Sequence, residues 1–340
     1  MHVAENRSWN RIEFIYNPQA GNRLIRRNVG VVASNLAEIF PYTHIRINPT
    51  TGPGDATDLA RAAAKESGSD VLIVIAGGDG SVSEAANGLI GTEAAMLVLP
   101  FGSGNDLART LYGRRTPTPT VILDAFKKDG AFSTKMDALR VQGSVRDNRG
   151  VEVREFSRFS VNVISIGLDS KVAITADKIQ RKFPNTLGMS YMIGVFNALS
   201  SDRSWRMRAK LERDGNLDVI QRDYVLCAIG NAQYYGGGFL PHPDAKLNDG
   251  LANILTARPL KVFEIAKLLG KFRRGETIPA HIATYEQASS LVIEAVDSEL
   301  VLTLDGEGYY ADRIHVDTVP GVLRVALPRS WGLPPAFEAD

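Results

Sequence analysis

The stretch that decides the fold is Asp70–Ser81, DVLIVIAGGDGS. Its first seven residues are almost all apolar and β-branched, with no alternation of polar and apolar positions. Such a run is typical of a strand that is covered on both faces, which is how strands of parallel sheets are buried. The glycines at 77, 78 and 80 then interrupt the run, and Ser81–Leu89 has the composition of a helix. The stretch therefore predicts a strand, a glycine turn and a helix of a parallel α/β sheet.

The flanking sequence repeats this alternation. Strands are predicted at Arg11–Tyr16, Thr43–Ile47 and Ala94–Leu99, and helices at Asn28–Phe40 and Asp55–Ser67. A β-α-β-α rhythm of this length indicates a doubly wound parallel sheet. We therefore expect residues 1–130 to form an α/β domain.

The pattern changes after Thr116, where TPTPT marks a loop. Short strands then dominate, and only Lys171–Leu199 and Leu260–Arg274 have helical character. The predicted strands are Val121–Leu123, Thr134–Val141, Glu152–Ile166, Ser204–Arg213, Leu217–Ile229, Leu251–Ala257, Ser290–Ala295 and Leu300–Leu304. Successive strands with hairpin-like turns indicate a mainly antiparallel β-sandwich over residues 131–330. The remaining residues, 331–340, are expected to be a tail that packs back on the first domain.

Composition restricts the function classes. Hydrophobic residues make up 44% and charged residues 23% of the 340-residue chain, and 39 basic against 38 acidic residues give a net charge of +1. No global positive field favours nucleic acid as a partner. The single cysteine, Cys227, lies in an apolar run and is interpreted as a buried core thiol. With no signal-peptide pattern and no apolar run of about 20 residues, we expect a cytoplasmic protein, at most peripheral at the inner membrane face.

Three glycine-bearing turns follow predicted parallel strands. They are Asn17–Gly21, Gly77–Ser81 and Gly102–Asp106. Ligands of open α/β sheets bind at the carboxyl ends of the strands, where glycines let the backbone approach phosphate and helix N-termini offer free N–H groups. One such turn is weak evidence, but three at one edge favour phosphate binding. The acidic Asp79 within the second turn would repel phosphate unless a cation mediates, which points to Mg²⁺-nucleotide chemistry.

Other phosphate-binding and metal-binding classes lack their motifs here. The chain has no G-x-x-x-x-G-K-[ST] loop, no G-x-G-x-x-G after the first strand and no H-R-D or D-F-G set. Clusters of His or Cys are also absent from the sequence. P-loop enzymes, NAD-dependent oxidoreductases, protein kinases and transition-metal enzymes are therefore disfavoured.

At this point the motifs resemble those of the diacylglycerol kinase catalytic family, which also contains sphingosine and ceramide kinases and soluble bacterial lipid kinases. The resemblance covers roughly residues 11 to 330 in family order. It is carried by NPQAG (17–21), GGDGSVSEAANG (77–88), PFGSGNDLAR (100–109), Asn231 with GGG (236–238), DG (249–250) and DGE (305–307). GGDG alone is shared with NAD kinases and 6-phosphofructokinases, whereas the continuations E-x-x-N-G-L and GSGNDLAR are more specific to lipid kinases.

The resemblance implies an ATP- and Mg²⁺-dependent kinase that phosphorylates the hydroxyl of a diacylglycerol-like lipid. It places ATP on the N-terminal domain and the lipid in a cleft against the C-terminal domain. The implied nucleotide-binding residues are Asn17, Pro18, Gly21, Thr50, Gly77, Gly78, Asp79, Gly80, Ser81, Glu84, Gly102, Ser103, Gly104 and Asn105. The implied metal ligands are Asp249 and the carbonyls of Lys246 and Leu251. Glu307 is the implied base, with Asp305 as its rival and Asp79 as support for Mg²⁺ or the acceptor hydroxyl.

The sequence also departs from the family pattern and leaves structural alternatives open. Ala20 replaces a small hydroxyl residue, which removes one phosphate hydrogen bond of about 1 kcal/mol. Asp305-Gly306 taken alone is a hairpin turn that leaves Glu307 solvated. Asp249-Gly250 likewise fits a turn that needs no metal. Asn105 is compatible with a helix cap.

The partner predicted from the resemblance is a lipid substrate at a membrane surface. Leu260–Arg274 combines apolar residues with Lys261, Lys267, Lys271, Arg273 and Arg274, so it suits either docking on anionic headgroups or a solvated basic helix face. The strand that carries Arg203, Arg206, Arg208 and Lys210 is an alternative element for docking on anionic headgroups. The apolar segment Leu187–Leu199 is a candidate wall for acyl chains, or ordinary core. An exposed edge strand leaves homodimerisation open.

Three other functions remain. The acceptor could be another lipid alcohol, such as ceramide or a sphingoid base. An NAD kinase-like enzyme would be expected to carry N-x-G-x-x-G-F-L after the fourth strand, where this chain has FGSGNDL (101–107). A non-catalytic nucleotide-binding protein would be expected to have lost acidic residues such as Asp79, Asp249 or Glu307, and all three are present.

Overall fold

A computed structural model describes residues 9–182, 204–213, 215–276 and 278–338. By its contacts the chain divides into two units. Unit 1 contains Met1–Ala138, Lys246–Asp249 and Val319–Asp340, and unit 2 contains Leu139–Ala245 and Gly250–Thr318. The chain thus passes between the units four times, whereas the sequence analysis placed one boundary at residue 130. Two of these passages lie within long strands, β5 (Ala131–Asp147) and β16 (Arg313–Pro328).

Unit 1 is built on a parallel sheet with the strand order β2-β1-β3-β4-β16. Its other strands are β1 (Arg11–Tyr16), β2 (His44–Pro49), β3 (Val71–Gly77) and β4 (Ala95–Pro100). Its helices are α1 (Ala20–Ile39), α2 (Asp55–Ser67), α3 (Asp79–Leu89), α4 (Asp106–Tyr112) and α5 (Pro119–Asp129). Short 3₁₀ turns are formed by Gly68–Asp70 and Arg329–Trp331.

The core of unit 1 follows from its sequence pattern. Every residue of β3 and β4 is buried, because helices cover both faces of these central strands. Helices α2 and α3 pack on each other, and α1 packs with α5. The predicted parallel α/β fold is therefore confirmed.

One predicted element of this region is wrong. Val121–Leu123, predicted as a strand, lies inside α5. The Thr118 hydroxyl accepts a hydrogen bond from the Val121 N–H at the start of this helix, and Pro119 occupies its first position, where a missing N–H costs nothing. The buried residues Ile122, Leu123 and Phe126 have helical spacing that a three-residue window could not reveal.

Unit 2 is antiparallel throughout its described strand pairs. One run of strands has the order β12-β11-β10-β7-β14-β15-β5-β6, and a second has the order β9-β8-β13-β16. The bounds are β6 (Glu152–Ser160), β7 (Val163–Gly167), β8 (Trp205–Arg213), β9 (Asn216–Tyr224), β10 (Leu226–Gly230) and β11 (Ala252–Ala257). The last four are β12 (Ala283–Ala288), β13 (Ser290–Ala295), β14 (Leu300–Leu304) and β15 (Glu307–Ala311).

Both runs contribute to one hydrophobic core, which confirms the predicted sandwich. Met207 and Ile293 of the second run share this core with Ile254 and Cys227 of the first. Burial raises the pKa of the Cys227 thiol to about 12, so this cysteine is an inert core residue as predicted.

The described part of unit 2 also contains two helices, α6 (Leu168–Lys182) and α7 (Val262–Arg274). The predicted strands over 152–166 and 217–229 are each divided in two, and β12, β15 and β16 were not predicted. Helix α6 begins three residues before the predicted Lys171, and the predicted acyl-chain wall at 187–199 lies outside the described residues. No helix among the described residues is long and apolar enough to cross a bilayer.

Candidate active site

The three glycine turns of unit 1 meet at the carboxyl edge of its sheet. The first turn reaches the second through the side-chain amide of Asn17, which lies 3.4 Å from the Ser81 hydroxyl. The second is joined to Phe101, which immediately precedes the third, by a hydrogen bond of 2.9 Å from the Phe101 N–H to the Gly77 carbonyl. The first also lies against Phe101, because a Cβ on Gly21 would lie only 2.6 Å from the Phe101 carbonyl oxygen. The turns therefore form one continuous backbone surface.

Close backbone packing explains why glycine is needed between the second and third turns. A Cβ on Gly102 would overlap the Cα of Gly78. Gly80 differs, because a Cβ there would meet nothing within 4 Å and the residue is exposed. Ser103 is also exposed at the tip of the third turn. The packed glycines thus hold the turns together, while Gly80 and Ser103 face outward.

Asp79 links the second turn to the start of α4. One of its carboxylate oxygens accepts a hydrogen bond of 2.8 Å from the Asn105 N–H, and the other accepts one of 2.6 Å from the Asp106 N–H. Asn105 adopts a left-handed conformation with φ +56° and its side chain bonds back to both the N–H and the carbonyl of Gly102. The structure therefore gives Asp79 a positioning function that the sequence analysis did not anticipate.

The other predicted nucleotide residues lie around this surface. Thr50 follows β2 directly, and its N–H bonds to the Tyr16 carbonyl at 2.9 Å. Pro18 lies in the first turn, and its carbonyl accepts a hydrogen bond from Arg26. The Glu84 carboxylate accepts a 3.3 Å hydrogen bond from the Ala56 N–H at the start of α2. Glu84 therefore stabilises the α2–α3 packing.

The predicted metal segment lies where the chain changes units. Lys246 and Asp249 belong to unit 1 and Leu251 to unit 2. The segment is fixed on the C-terminal tail by a 2.7 Å hydrogen bond from the Leu247 N–H to the Ala336 carbonyl and one of the same length from the Lys246 ammonium to the Pro335 carbonyl. No three His, Cys, Asp or Glu side chains within the described ranges are grouped to hold a metal ion.

In unit 2, Glu307 is held by an arginine. The Arg158 guanidinium contacts both carboxylate oxygens of Glu307, and the Nη2–Oε1 distance is 2.9 Å. The Tyr309 hydroxyl also bonds to this carboxylate at 3.0 Å and accepts from Arg158 at 2.7 Å. The Glu307 side chain retains 41% of its exposure, so it is fixed in place yet accessible.

The ion pair changes the acid–base properties of its partners. Burial disfavours the charged form of Arg158, but its hydrogen bonds and charge interaction with Glu307 outweigh this, so the Arg158 pKa lies above its ordinary value. Burial and the neighbouring Glu307 charge raise the pKa of Tyr309 to about 12. Both groups therefore keep their protons at neutral pH and act as donors to the Glu307 carboxylate.

Asp305 has a different environment from Glu307. It forms with Gly306 the two-residue turn between β14 and β15, with φ +47° and +94°, as in type I′ hairpins. Its carboxylate accepts hydrogen bonds of 2.6 Å from the Ser160 hydroxyl and of 3.0 Å from the N–H groups of Val161 and Asn162. Asp305 thus anchors the β6–β7 turn. The interpretation of Asp305-Gly306 as a hairpin turn is correct, but Glu307 is not a freely solvated residue.

Arg158, Tyr309 and Ser160 were missed by the sequence analysis. Arg158 lies on β6, and 149 residues separate it from Glu307. No local motif marks it, since RFS within a charged strand resembles an ordinary solvated edge. Only the strand order, which brings β6 and β15 to either side of β5, places the two side chains together.

Two family models match the chain. The diacylglycerol kinase catalytic domain matches residues 11–136, and the YegS C-terminal NAD kinase beta sandwich-like domain matches residues 162–327. These ranges correspond to the parallel α/β region and the antiparallel sandwich.

Relatives with known names match nearly the whole chain. A diacylglycerol kinase of Mycobacterium tuberculosis (strain ATCC 25618 / H37Rv) is 31% identical over 278 residues, covering 81% of this chain and 83% of that protein. A diacylglycerol kinase of Bacillus subtilis (strain 168) is 26% identical over 300 residues, covering 87% and 89%.

Two solved structures from Bacillus anthracis str. Sterne have the same fold. The first superposes with a TM-score of 0.70 at 22% identity, covering 96% of this chain and 99% of the other. The second, a diacylglycerol kinase, superposes with a TM-score of 0.65 at 21% identity, covering 95% and 99%. At these identities the likeness establishes the fold alone.

Proposed function

This chain belongs to the diacylglycerol kinase catalytic family and is therefore a lipid kinase, and we propose that it transfers the γ-phosphoryl group of Mg²⁺-ATP to the hydroxyl of a diacylglycerol-like lipid. The observation that carries the proposal is the Glu307 carboxylate, held at two points by Arg158 yet still exposed. The acceptor is assigned by class, as a lipid alcohol with a reachable primary or secondary hydroxyl.

The nucleotide is assigned to the joined glycine turns of unit 1. Helix α3 begins at Asp79, and the N-terminus of a helix presents backbone N–H groups and a positive dipole end to an anion. The exposed Gly80 lets a phosphate approach the backbone closely. The hydroxyls of Ser81 and Ser103 would donate further hydrogen bonds to the phosphate oxygens.

Mg²⁺ would be held at Asp249, together with the carbonyls of Lys246 and Leu251. This donor set fits the ion, because Mg²⁺ prefers oxygen ligands and usually takes only one or two carboxylates from the protein, the rest coming from phosphates and water. When bound, the ion supplies positive charge that neutralises the β- and γ-phosphates during transfer.

Glu307 is assigned as the base that takes the proton of the acceptor hydroxyl. In the proposed step the hydroxyl oxygen bonds to the γ-phosphorus while the bond from that phosphorus to the β–γ bridging oxygen breaks. The hydroxyl proton passes to Glu307, and ADP leaves with the bridging oxygen. Arg158 and Tyr309 hold the carboxylate in one orientation, which a general base requires.

The two aspartates act as positioning residues in this proposal. Asp79 fixes the third glycine turn relative to the second, and Asp305 fixes the β6–β7 turn beside the strand that carries Arg158. Each carboxylate oxygen of these two residues accepts a hydrogen bond from a backbone N–H group of the turn that it fixes.

A transfer assay tests the proposal. The purified protein would be incubated with ATP labelled at the γ-phosphate, Mg²⁺ and mixed micelles that contain diacylglycerol, ceramide, a sphingoid base or no lipid, with NAD as a soluble acceptor. Label in diacylglycerol that disappears in Glu307→Gln supports the proposal. Glu299→Gln is the matched control, since Glu299 is a similarly exposed carboxylate whose Arg146 partner lies 2.7 Å away. Label in NAD but in no lipid would overturn the substrate class.

A further inference from the structure

Helix α7 carries two apolar faces, of which only one is covered. Ile265, Leu268 and Phe272 are buried in the core of unit 2. Outside this buried face, Phe263 is 58% exposed and Val262 45% exposed in the first turn. Large apolar side chains exposed together on one helix face indicate a contact with another molecule rather than with water.

Further along the exposed side of α7, positively charged side chains accompany the apolar ones. Leu269 is 37% exposed, and Lys267 and Arg273 are exposed as well. The Lys267 ammonium lies 5.6 Å from the centre of the Phe263 ring. We define Val262, Phe263, Lys267, Leu269 and Arg273 as the outer face of α7.

The helix and its caps are strongly basic. Five cations lie between residues 261 and 276, at Lys261, Lys267, Lys271, Arg273 and Arg274, against the two acids Glu264 and Glu276, so the segment carries +3. Both acids are engaged locally: Glu264 caps the helix and pairs with Arg258 at 2.9 Å, and Glu276 pairs with Arg274 and Lys271. The acids therefore sit at the ends of the helix, away from the outer face.

We propose that the outer face of α7 docks the enzyme on an anionic phospholipid bilayer. An interfacial helix has this combination of exposed aromatic and aliphatic residues with cations beside them, because the apolar side chains enter the acyl boundary while the cations meet headgroup phosphates. The inference rests on the proposed function, since an enzyme whose acceptor carries acyl chains must collect it from a membrane.

Charge favours a bilayer over a second copy of the chain on this face. A two-fold contact through α7 would bring two segments of +3 together, and like charges at an interface oppose association. Near an anionic surface, each basic residue instead increases the affinity of the protein for that surface by about fivefold. The occupant is therefore the lipid surface.

Vesicle co-sedimentation tests the docking surface with two pairs of matched variants. Lys267→Glu/Arg273→Glu is compared with Lys65→Glu/Lys128→Glu, which makes the same change in net charge on exposed lysines of α2 and α5. Val262→Ser/Phe263→Ser is compared with Leu217→Ser/Val219→Ser, which removes two side chains that are 64% and 60% exposed on β9. Vesicles of phosphatidylcholine alone and with phosphatidylglycerol are used at low and high salt.

Loss of binding to the anionic vesicles in both α7 variants, by about 20-fold or more, with wild-type binding in both controls, is the expected result. Binding should also weaken at high salt, because exposed charges are screened. Equal binding by the α7 variants and their controls would overturn the proposal. So would sedimentation velocity showing that Val262→Ser/Phe263→Ser converts a dimer to a monomer without loss of vesicle binding.

A short-chain, water-soluble diacylglycerol separates this proposal from the proposed function. Docking predicts that the α7 variants phosphorylate this dispersed lipid at the wild-type rate and lose activity only on vesicles. If the wild type phosphorylates neither form, the proposed function fails, while the vesicle-binding result still decides the docking surface.

Discussion

Arg158 and Glu307 form a two-point ion pair between strands β6 and β15, with Tyr309 bonded to both. The planar guanidinium matches the two carboxylate oxygens, which a lysine could not do. Because Glu307 is still 41% exposed, the pair fixes the orientation of a carboxylate that remains open to solvent or substrate. This differs from a buried structural pair, in which neither partner could reach another molecule.

We predict that Glu307→Gln lowers kcat by about 10²- to 10⁴-fold, the range that a general base contributes. Arg158→Gln should lower kcat by about tenfold, because the carboxylate remains but loses its orientation. Arg158→Lys should fall between wild type and Arg158→Gln, since lysine keeps the charge but not the two-point geometry. Steady-state phosphoryl transfer, with circular dichroism as a check of folding, measures these effects.

The double variant Arg158→Gln/Glu307→Gln tests whether the two residues act together. If they do, the double variant is no slower than Glu307→Gln alone, because Arg158 acts only through Glu307. Independent effects that multiply would show that Arg158 has another function.

Gly104 and Gly80 form a matched pair of glycines with opposite expectations. A Cβ on Gly104 would overlap the Asp79 carboxylate and break its hydrogen bonds to the third turn, whereas a Cβ on Gly80 meets nothing within 4 Å. Gly104→Ala should therefore lower the free energy of unfolding by about 1–3 kcal/mol, as expected for a lost bond to a charged group. Gly80→Ala should leave stability unchanged or slightly higher but raise the KM for ATP, because the added methyl group stands where phosphate approaches.

Urea unfolding and ATP titration of both variants check this contrast. A Gly80→Ala variant with wild-type KM would remove the second turn from the phosphate site, and a stable Gly104→Ala variant would show that the Asp79 contact is dispensable.

Asp305→Asn distinguishes the two candidates for the base. Asparagine tolerates the left-handed conformation at φ +47°, so the hairpin turn is retained. The amide nitrogen, however, cannot accept a hydrogen bond from Ser160, Val161 or Asn162. We expect a loss of about 2–3 kcal/mol in the free energy of unfolding and a kcat within about tenfold of wild type. A fall in kcat comparable to that of Glu307→Gln, at retained stability, would assign the base to Asp305 instead.

His242 makes the stability of the protein depend on pH. The ring is fully buried, and burial lowers its pKa to about 3. Below pH 6.5 the unfolded chain binds a proton at this position that the folded chain does not bind until about pH 3, so the contribution of His242 to stability falls as pH falls through this window. Between pH 7 and pH 4.5 the loss amounts to about 3 kcal/mol.

His242→Gln cannot take up this proton. We therefore expect the variant, whatever its stability at pH 7, to lose about 3 kcal/mol less than wild type between pH 7 and pH 4.5. Urea unfolding at the two pH values gives the difference directly. Equal losses of stability in wild type and His242→Gln would mean that the His242 ring can be protonated within the folded protein.

The sequence predicted best where one local signal decides the structure. The unbroken apolar run of β3 allowed no other element, and Ser290–Ala295 and Leu300–Leu304 alternate or end at clear turns, so their bounds agree with β13 and β14. The prediction was wrong at Val121–Leu123, because this short apolar stretch was interpreted as a strand without taking into account Pro119, which begins a helix. Its resemblance to lipid kinases also identified the family correctly, since the glycine motifs are contiguous in the chain.

The contacts of the site could not be predicted, because they join distant parts of the chain. The bonds from Asn105 and Asp106 to Asp79 span 26 and 27 residues, and Arg158 reaches Glu307 across 149. Periodicity and motifs indicate which residues lie at the edge of the sheet where ligands bind. They do not indicate which backbone N–H group will donate a hydrogen bond to a given carboxylate. The assignment of Asp79 to Mg²⁺ or the acceptor hydroxyl remains a prediction, and its carboxylate accepts hydrogen bonds from two backbone N–H groups.

The passage of β16 into unit 1 has a consequence for biosynthesis. Arg324 and Val325 pair with Ala95 and Met96 of β4, so the last strand of the parallel sheet is encoded more than two hundred residues after its neighbour. A ribosome that has released only the first 138 residues therefore exposes β4 as an open edge of apolar backbone, which is prone to pair with other chains. The parallel sheet of unit 1 can therefore be completed only once translation has passed residue 325, although β1 to β4 emerge first.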